Sequence, residues 1–229
     1  MIIGSGLLAS EFAKKYAERS DIIIFASGVS NSNEVNNEEF AREKNLLQRY
    51  MIKSTGKFVY FSTCSIYDPE MKTKPYVLHK MEMERLIINK SPSCTIFRLP
   101  QVVGKNRNKN TLTNYLYDRI SANEEFKVWR DAHRYLIDVC DVEEIVNGIL
   151  IRGQDKEKII NIAPPTSISV LNIIKIIEKI LIKKANYCLV DGGGVYNIDA
   201  IQANKVAVLQ KINFDNNYPD RILRKYYGK

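Results

Sequence analysis

Runs of branched apolar residues, each closed by a Gly, Ser or Asn turn, alternate along this chain with segments whose apolar positions recur every three to four residues. The first kind predicts buried strands and the second amphipathic helices. Met1–Ile3 predicts a very short strand, and a helix follows through about Arg19, its apolar face carried by Ser10–Tyr16. "DIIIFAS", Asp21–Ser27, predicts the next strand, and "EEFAREKNLLQRYMIK", Glu38–Lys53, the next helix. "KFVYFST", Lys57–Thr63, is a third strand. Pro75 stands where a helix over Tyr76–Asn89 needs its first turn. Cys94–Pro100 predicts a strand, Leu112–Ser121 a helix, Arg134–Val139 a short extended segment and Asp141–Ile151 a helix. "KIINIA" and the strongly apolar Val170–Lys184 continue the alternation as strand and helix. Such alternation predicts an α/β protein built on a parallel sheet.

The 229 residues suffice for one domain with a small appended lobe, and 45% hydrophobic with 26% charged residues is an ordinary globular balance. The most apolar stretch, Ile168–Ile182, is interrupted by lysine and glutamate, so no membrane partner is expected. Met1 leads straight into "IIGSG" with no basic segment or cleavage site, which predicts a cytoplasmic protein. Four scattered cysteines form no CxxC, and only two histidines accompany them, so reduced thiols and no metal site are expected. The net charge of +8 raises the question of nucleic acid. The lysines are dispersed among glutamates and no basic helix or zinc module occurs, so an anionic, phosphate-bearing small molecule is the better expectation.

"GSGLLA", Gly4–Ala9, fits G-x-G-x-x-G/A between a strand and a helix. Gly4 permits the tight turn, Gly6 lets backbone approach a pyrophosphate, and Ala9 keeps the helix close to the strand. The helix N-terminus then offers free N–H groups to phosphates. A plain structural turn fits a lone match of this kind equally well. An acidic ribose ligand some twenty residues on is missing: Asp21 precedes its strand instead of ending it. NAD and NADP both stay open.

"STCSIYDPEMKTKPYVLHK", Ser62–Lys80, places Tyr76 and Lys80 four apart on one helix face. Alone, that spacing is common on solvated helices. Beside a glycine turn it suits proton transfer: an ammonium favours phenolate, and Thr63, at the end of the preceding strand, could hold the same substrate oxygen. His79 points away from the Tyr76 face and is expected to be exposed or packed. His133 is expected to be a hydrogen-bonded loop residue, with a second acid/base role as the minority reading. Trp129 and Tyr135 suit either core packing or stacking on a base.

The order of these motifs resembles the extended short-chain dehydrogenase/reductases that act on nucleotide sugars, the NAD-dependent epimerase/dehydratase group. "IIGSGLLAS" resembles its glycine loop, "DIIIFASGVSNS" its fourth strand and following loop, and "KNLLQ" its Asn-bearing helix. "FVYFSTCSIYD" and "PYVLHK" are similar to its catalytic strand end and Tyr–Lys helix. "FRLPQVVGK", "RYLIDVCDV" and "IINIAPPTSISVLNIIKII" resemble its later segments in the correct order. The resemblance implies Thr63, Tyr76 and Lys80 as catalytic residues. It implies Gly4, Gly6, Leu7, Leu8, Ala26, Ser27, Gly28 and Asn45, with Tyr76 and Lys80, at the cofactor NAD or NADP. Gln101, Lys105 and Arg134 would bind the nucleotide-sugar substrate, with Arg134 on its diphosphate and Asp141 opening the next helix. Arg107 and Lys109 continue the charge run of Lys105.

The fold implied is a Rossmann-like parallel sheet lacking some strands, with a small C-terminal substrate lobe. Residues 1–103, with 136–163 returning to them, would form the NAD(P)-binding part, and 104–135 and 164–229 the substrate-binding lobe. "DGGGVYNID", Asp191–Asp199, would be a loop of that lobe before a final helical segment. Two strands beyond the first are absent, which shortens the adenosine site. Cys64 and Ser65 stand where sugar-nucleotide dehydratases carry an acidic pair, so water elimination is not expected. "STCSIY" resembles reductases that make deoxysugars, and reduction of a 4-keto sugar nucleotide is the function implied. A 4-epimerase is the alternative, and a catalytically silent NAD(P)-binding regulatory or scaffold protein is the alternative of another class. The resemblance also implies a homodimer.

Overall fold

Five short apolar runs pair side by side into one parallel sheet. The computed structural model describes residues 1–52, 56–106, 108–153 and 158–228. The elements run β1 (Ile2–Ile3), α1 (Leu7–Tyr16), β2 (Ile22–Phe25), α2 (Asn37–Ile52) and β3 (Lys57–Thr63), then a 3-10 turn over Cys64–Tyr67 and α3 (Pro75–Lys90). Next come β4 (Cys94–Leu99), β5 (Gln101–Val103), α4 (Leu112–Ala122), β6 (Phe126–Trp129), β7 (His133–Arg134) and β8 (Leu136–Asp138). The last are α5 (Val139–Ile151), β9 (Ile159–Asn161), β10 (Ile168–Ser169), α6 (Val170–Leu181), β11 (Tyr187–Val190), α7 (Ile201–Leu209) and α8 (Tyr218–Tyr227).

The sheet order is β1-β2-β3-β4-β9, all parallel, as the alternating pattern predicted. Alternate strand residues face opposite sides. Ile22, Ile24, Val59 and Phe61 pack with Phe12 and Tyr16 of α1, with α5, and with Ala203, Val206 and Ala207 of α7. Ile23, Phe25, Phe58 and Tyr60 pack with Leu47 and Met51 of α2 and Met83 and Ile87 of α3. Each such buried side chain contributes roughly 1.5–3 kcal/mol.

The two faces give the chain an unusual turn of hand. β1 to β2, β2 to β3 and β3 to β4 all step the same way across the sheet. Yet α1 covers one face while α2 and α3 cover the other. The β1–α1–β2 crossover therefore has the opposite hand to the two that follow, against the nearly universal single hand of such units. In a doubly wound sheet the helix after the first strand leads outward to strands on its far side. Here those strands are missing among the described residues, and α1 keeps its face while the chain doubles back. β1 is left at the sheet edge.

A second core joins α4, α6, α8 and β6 through Leu116, Ile120, Ile173, Ile177, Ile222 and Phe126. α6 buries Val170, Ile173, Ile174 and Ile177 at the expected helical spacing, and Ser169 caps it by accepting from the Asn172 amide at 3.2 Å. α7, which falls in the segment expected to form the substrate lobe, packs on the sheet core instead. Residues 201–227 form two helices where one final helical segment was expected. Asp138, not Asp141, caps α5: its side chain accepts from the Cys140 amide at 2.9 Å. Among the described residues no helix is long and apolar enough to cross a membrane.

Candidate active site

The carboxyl ends of β1 to β4 open on a cleft of about 750 Å³, the place where open α/β sheets bind ligands. Its floor is built from the turns after each strand. After β1, Gly4 turns at φ +129°, where an added Cβ would run into the Ala26 carbonyl, so only glycine fits. Gly6, at the start of α1, has nothing within 4 Å of the position a Cβ would take. No side chain caps the first turn of α1, and no acidic residue stands in it. Its N–H groups are thus presented to the cleft beside open space, an arrangement that fits a pyrophosphate. Leu7, Leu8, Ala26, Ser27 and Gly28 line the same wall.

α3 carries two of the three expected acid–base residues. Pro75 occupies its first turn and fixes where the helix begins, so that Tyr76 and Lys80 fall one turn apart on the cleft side. Thr63 ends β3, opposite Leu99 in the register, and its Oγ1 accepts from the Ser65 amide at 3.0 Å. The Thr63 hydroxyl favours the ionised form of the neighbouring Tyr76 phenol. All three side chains are buried yet line the cleft. Ser62, next to Thr63, also lines it and carries a buried hydroxyl with no partner among the described residues.

Lys80 does not stand free beside Tyr76. Its Nζ donates to Glu43 Oε1 at 3.0 Å and to the Tyr60 hydroxyl at 3.1 Å. Glu43 also accepts from Tyr60 at 2.6 Å and from the Val29 amide at 2.7 Å, and its Oε2 lies 3.1 Å from His79 Nε2. Burial alone would raise the Glu43 carboxyl, but Lys80, His79, Tyr60 and the Val29 amide hold it well below the usual carboxylate range. Burial raises the Tyr76 phenol above the ordinary tyrosine range, against the pull of Lys80 and Thr63, and Glu43 adds to the rise. The lysine lowers the phenol, as its spacing suggested, but burial outweighs it. A side chain at Gly28 would meet Lys80 Nζ and Glu43 Oε1.

Of the residues expected at the cofactor, Gly6, Leu7, Leu8, Ala26, Ser27, Gly28, Tyr76 and Lys80 line the cleft. Gly4 shapes the turn behind it. Asn45 is a correction: it is exposed on α2, two positions from buried Glu43 and so on the opposite side of the helix. Lys105 is exposed at the rim of the cleft. Arg107 and Lys53 lie outside the described residues. His79 is buried, bonded to Glu43 and stacked on Phe40 with ring centroids 4.7 Å apart. His133 contacts Ser167 Oγ at 3.2 Å.

A second pocket of about 490 Å³ adjoins the cleft, sharing Ser32, Ser65, Gln101 and Asn110 with it. Arg134 lines it, 3.2 Å from the buried Asp68 carboxylate and donating to the His133 carbonyl at 2.7 Å. Trp129, partly exposed, lines it as well, whereas Tyr135 is buried and donates to the Tyr196 carbonyl at 2.9 Å. The motif reading missed Glu43 and Asp68. Glu43 had a signal: it falls in helical register with Leu47 and Met51, the apolar stripe of α2.

Fold and cleft together define a Rossmann-like α/β protein with a phosphate-ready glycine turn facing a Thr, Tyr and Lys cluster. The model of the NAD dependent epimerase/dehydratase family matches residues 5–163, and the chain belongs to that family. Solved structures share the fold at low identity. RMD from Pseudomonas aeruginosa complexed with NADPH is 16% identical, with a TM-score of 0.72 over 97% of this chain and 95% of that one. UDP-glucose 4-epimerase from Thermus thermophilus with NAD is 13% identical, with a TM-score of 0.69 over 96% and 82%. UDP-glucuronic acid 4-epimerase from Bacillus cereus, with UDP-glucuronic acid and NAD, is 17% identical, with a TM-score of 0.67 over 94% and 76%. No curated protein matches the chain significantly.

Proposed function

We propose that this chain is an NAD(P)-dependent oxidoreductase that reduces the 4-keto group of a nucleotide-activated sugar. One observation carries the reading: Thr63, Tyr76 and Lys80 meet in the cleft where it adjoins a second pocket bearing Arg134 and Gln101. The structural neighbours complexed with NADPH, NAD and UDP-glucuronic acid support the same assignment of ligands. The dinucleotide would lie along Gly6, Ala26, Ser27 and Gly28, its pyrophosphate on the α1 N-terminus. A lobe made by 104–135 and part of 164–229 would hold the sugar nucleotide, with Arg134 on its diphosphate and a copy of the same chain as partner.

A bound NAD(P)H supplies a hydride to the keto carbon and is itself oxidised. Thr63 donates a hydrogen bond to the keto oxygen and fixes its position. Tyr76 gives its phenolic proton to that oxygen as the carbon accepts the hydride, leaving an alcohol and a phenolate that is reprotonated from solvent. Lys80 has used two of its three N–H bonds on Glu43 and Tyr60, and the third can hold a cofactor hydroxyl. Cys64 and Ser65 provide no acid–base pair for eliminating water.

The test is a fluorescence titration with NADH and NADPH, with Gly6→Asp as control. Saturable binding lost in the variant, followed by turnover of 4-keto nucleotide sugars that Tyr76→Phe abolishes, is the expected result. Interconversion of 4-hydroxyl epimers without net reduction would make the chain an epimerase. A folded protein that binds neither cofactor would make it a silent member, its adenosine grip lost with the outer strands.

A further inference from the structure

The proposed reaction leaves the Glu43 carboxylate, which bonds Lys80 behind the cleft, without work. It comes from α2, is completely buried, and meets α3 at two residues, Lys80 at 3.0 Å and His79 at 3.1 Å. From β3 the Tyr60 hydroxyl donates to it, and from the turn after β2 the Val29 amide does so too. A carboxylate with four partners and no exposure has a fixed position. It fixes Lys80 in turn, whose Nζ lies 5.0 Å from the Tyr60 ring centre and 6.0 Å from that of Tyr76.

We propose that Glu43 is a positioning residue for proton transfer: it anchors Lys80 and offsets its charge, so that Tyr76 enters the reaction as an acid. The proposal rests on the reading of Tyr76 as the proton donor to a keto oxygen and deepens it. Reduction begins with a neutral phenol. Oxidation of an alcohol, the first half of an epimerisation, begins with a phenolate. A lysine standing alone within reach of the phenol would favour phenolate. A lysine whose charge is matched by a buried carboxylate has much less effect, and burial then decides in favour of the neutral hydroxyl.

Of the charged groups, Lys80 and Glu43 act most strongly on Tyr76, while Arg42 of α2 lines the same cleft and donates to the Ser27 carbonyl at 3.2 Å. Lys80 and Glu43 face it, and the Cys64 thiol, itself pushed up by burial, lies on the turn after β3. Glu84, one turn beyond Lys80, is held by Arg98 Nε and Nη2 at 2.8 and 2.6 Å. His79 touches Glu43 and adds a titratable partner to the cluster.

The experiment needs neither cofactor nor substrate, so it is independent of whether the proposed reaction occurs; the NADH and NADPH titration decides that separately. Phenolate absorbance is followed from neutral to alkaline pH in the wild type and in Tyr76→Phe, and the difference isolates one of the 13 tyrosines. In the wild type Tyr76 is expected to ionise above the ordinary tyrosine value of about 10. In Glu43→Gln it should ionise about tenfold more readily or better, and Glu43→Asp should return it toward wild type. A wild-type Tyr76 that ionises at or below the ordinary value would overturn the proposal without any Glu43 variant. So would a folded Glu43→Gln protein whose Tyr76 titrates like the wild type's.

Discussion

Gly4 packs directly against the Ala26 carbonyl, joining the turn after β1 to the turn after β2. The Ala26 amide donates to the Ile3 carbonyl at 2.8 Å, so the two turns are locked together at the edge of the sheet. Gly4 takes φ +129°, a conformation that costs an L side chain of the order of 1–3 kcal/mol before any clash. Gly4→Ala should therefore lower Tm, by about 2–4 °C for each kcal/mol in a chain of this size. Gly6 has open space and an ordinary φ of −81°. Gly6→Ala should leave Tm unchanged while weakening NADH or NADPH binding, because the methyl group would enter the space proposed for the pyrophosphate. Thermal melts of the two variants side by side test this, and equal losses of Tm would show that Gly6 is structural.

The parallel sheet was legible because β2 is wholly apolar and β3 and β4 carry apolar residues on both faces, the signature of strands buried on both sides. α3 was legible because Pro75 marks its start. β6 and β11 were not: Phe126–Trp129 alternates over only four residues, and Tyr187–Val190 is half exposed. α7 was hidden for another reason. Ile201, Val208 and Leu209 are exposed while Ala203, Val206 and Ala207 are buried, so its apolar residues mark no single face. At the site, hydroxyls and glycines in motif order were readable from the sequence. The partner of Lys80 belongs to no motif, and its one signal was a glutamate in register with the apolar stripe of α2.

Tyr76 and Thr63 should separate in kinetics. Tyr76→Phe removes the proposed proton donor and keeps the ring, so kcat should fall by about 10²–10⁴. The fold should lose no more than about 1 kcal/mol with the hydroxyl. Thr63→Ala should lower kcat by a smaller factor, and Thr63→Ser should restore most of it, since only the hydroxyl acts. Cofactor affinity should change little in either. Steady-state rates with a 4-keto nucleotide sugar give the answer, and an unchanged kcat in Tyr76→Phe would remove the tyrosine from the chemistry.

The buried Glu43–Lys80 pair predicts a specific loss of stability in acid. The folded carboxyl binds its proton less tightly than the unfolded chain, whose glutamates titrate near about 4.3. Its contribution is therefore fully present above that value and is lost as pH falls through the lower, folded value. Glu143 and Asp141 are raised by burial and work in the opposite direction, so the wild type alone is ambiguous. The comparison with Glu43→Gln isolates the pair. At neutral pH the variant should be less stable by about 3–5 kcal/mol, because Lys80 stays buried without its counter-charge. The gap should narrow only below about pH 4. Urea unfolding at a series of pH values measures it, and parallel curves throughout would show that Glu43 is not the group that titrates.

Arg134 should act on substrate binding more than on turnover. Both its contacts, to Asp68 and to the His133 carbonyl, run through Nη1. Among the described residues that leaves Nη2 and Nε for a ligand, and Asp68 steadies the guanidinium without covering it. A planar guanidinium so held suits two-point contact with a diphosphate, which a lysine ammonium cannot reproduce. Diphosphate binding is the same in ground and transition states, so its loss should appear in KM. Arg134→Lys should raise KM for the nucleotide sugar by about tenfold, with kcat and cofactor affinity nearly unchanged. Asp68→Asn, which keeps the shape but drops the charge, should raise KM less, since Arg134 loses its anchor but keeps its fork. If Arg134→Lys instead lowers kcat at constant KM, the arginine contacts the reacting sugar, and the diphosphate is held by other residues.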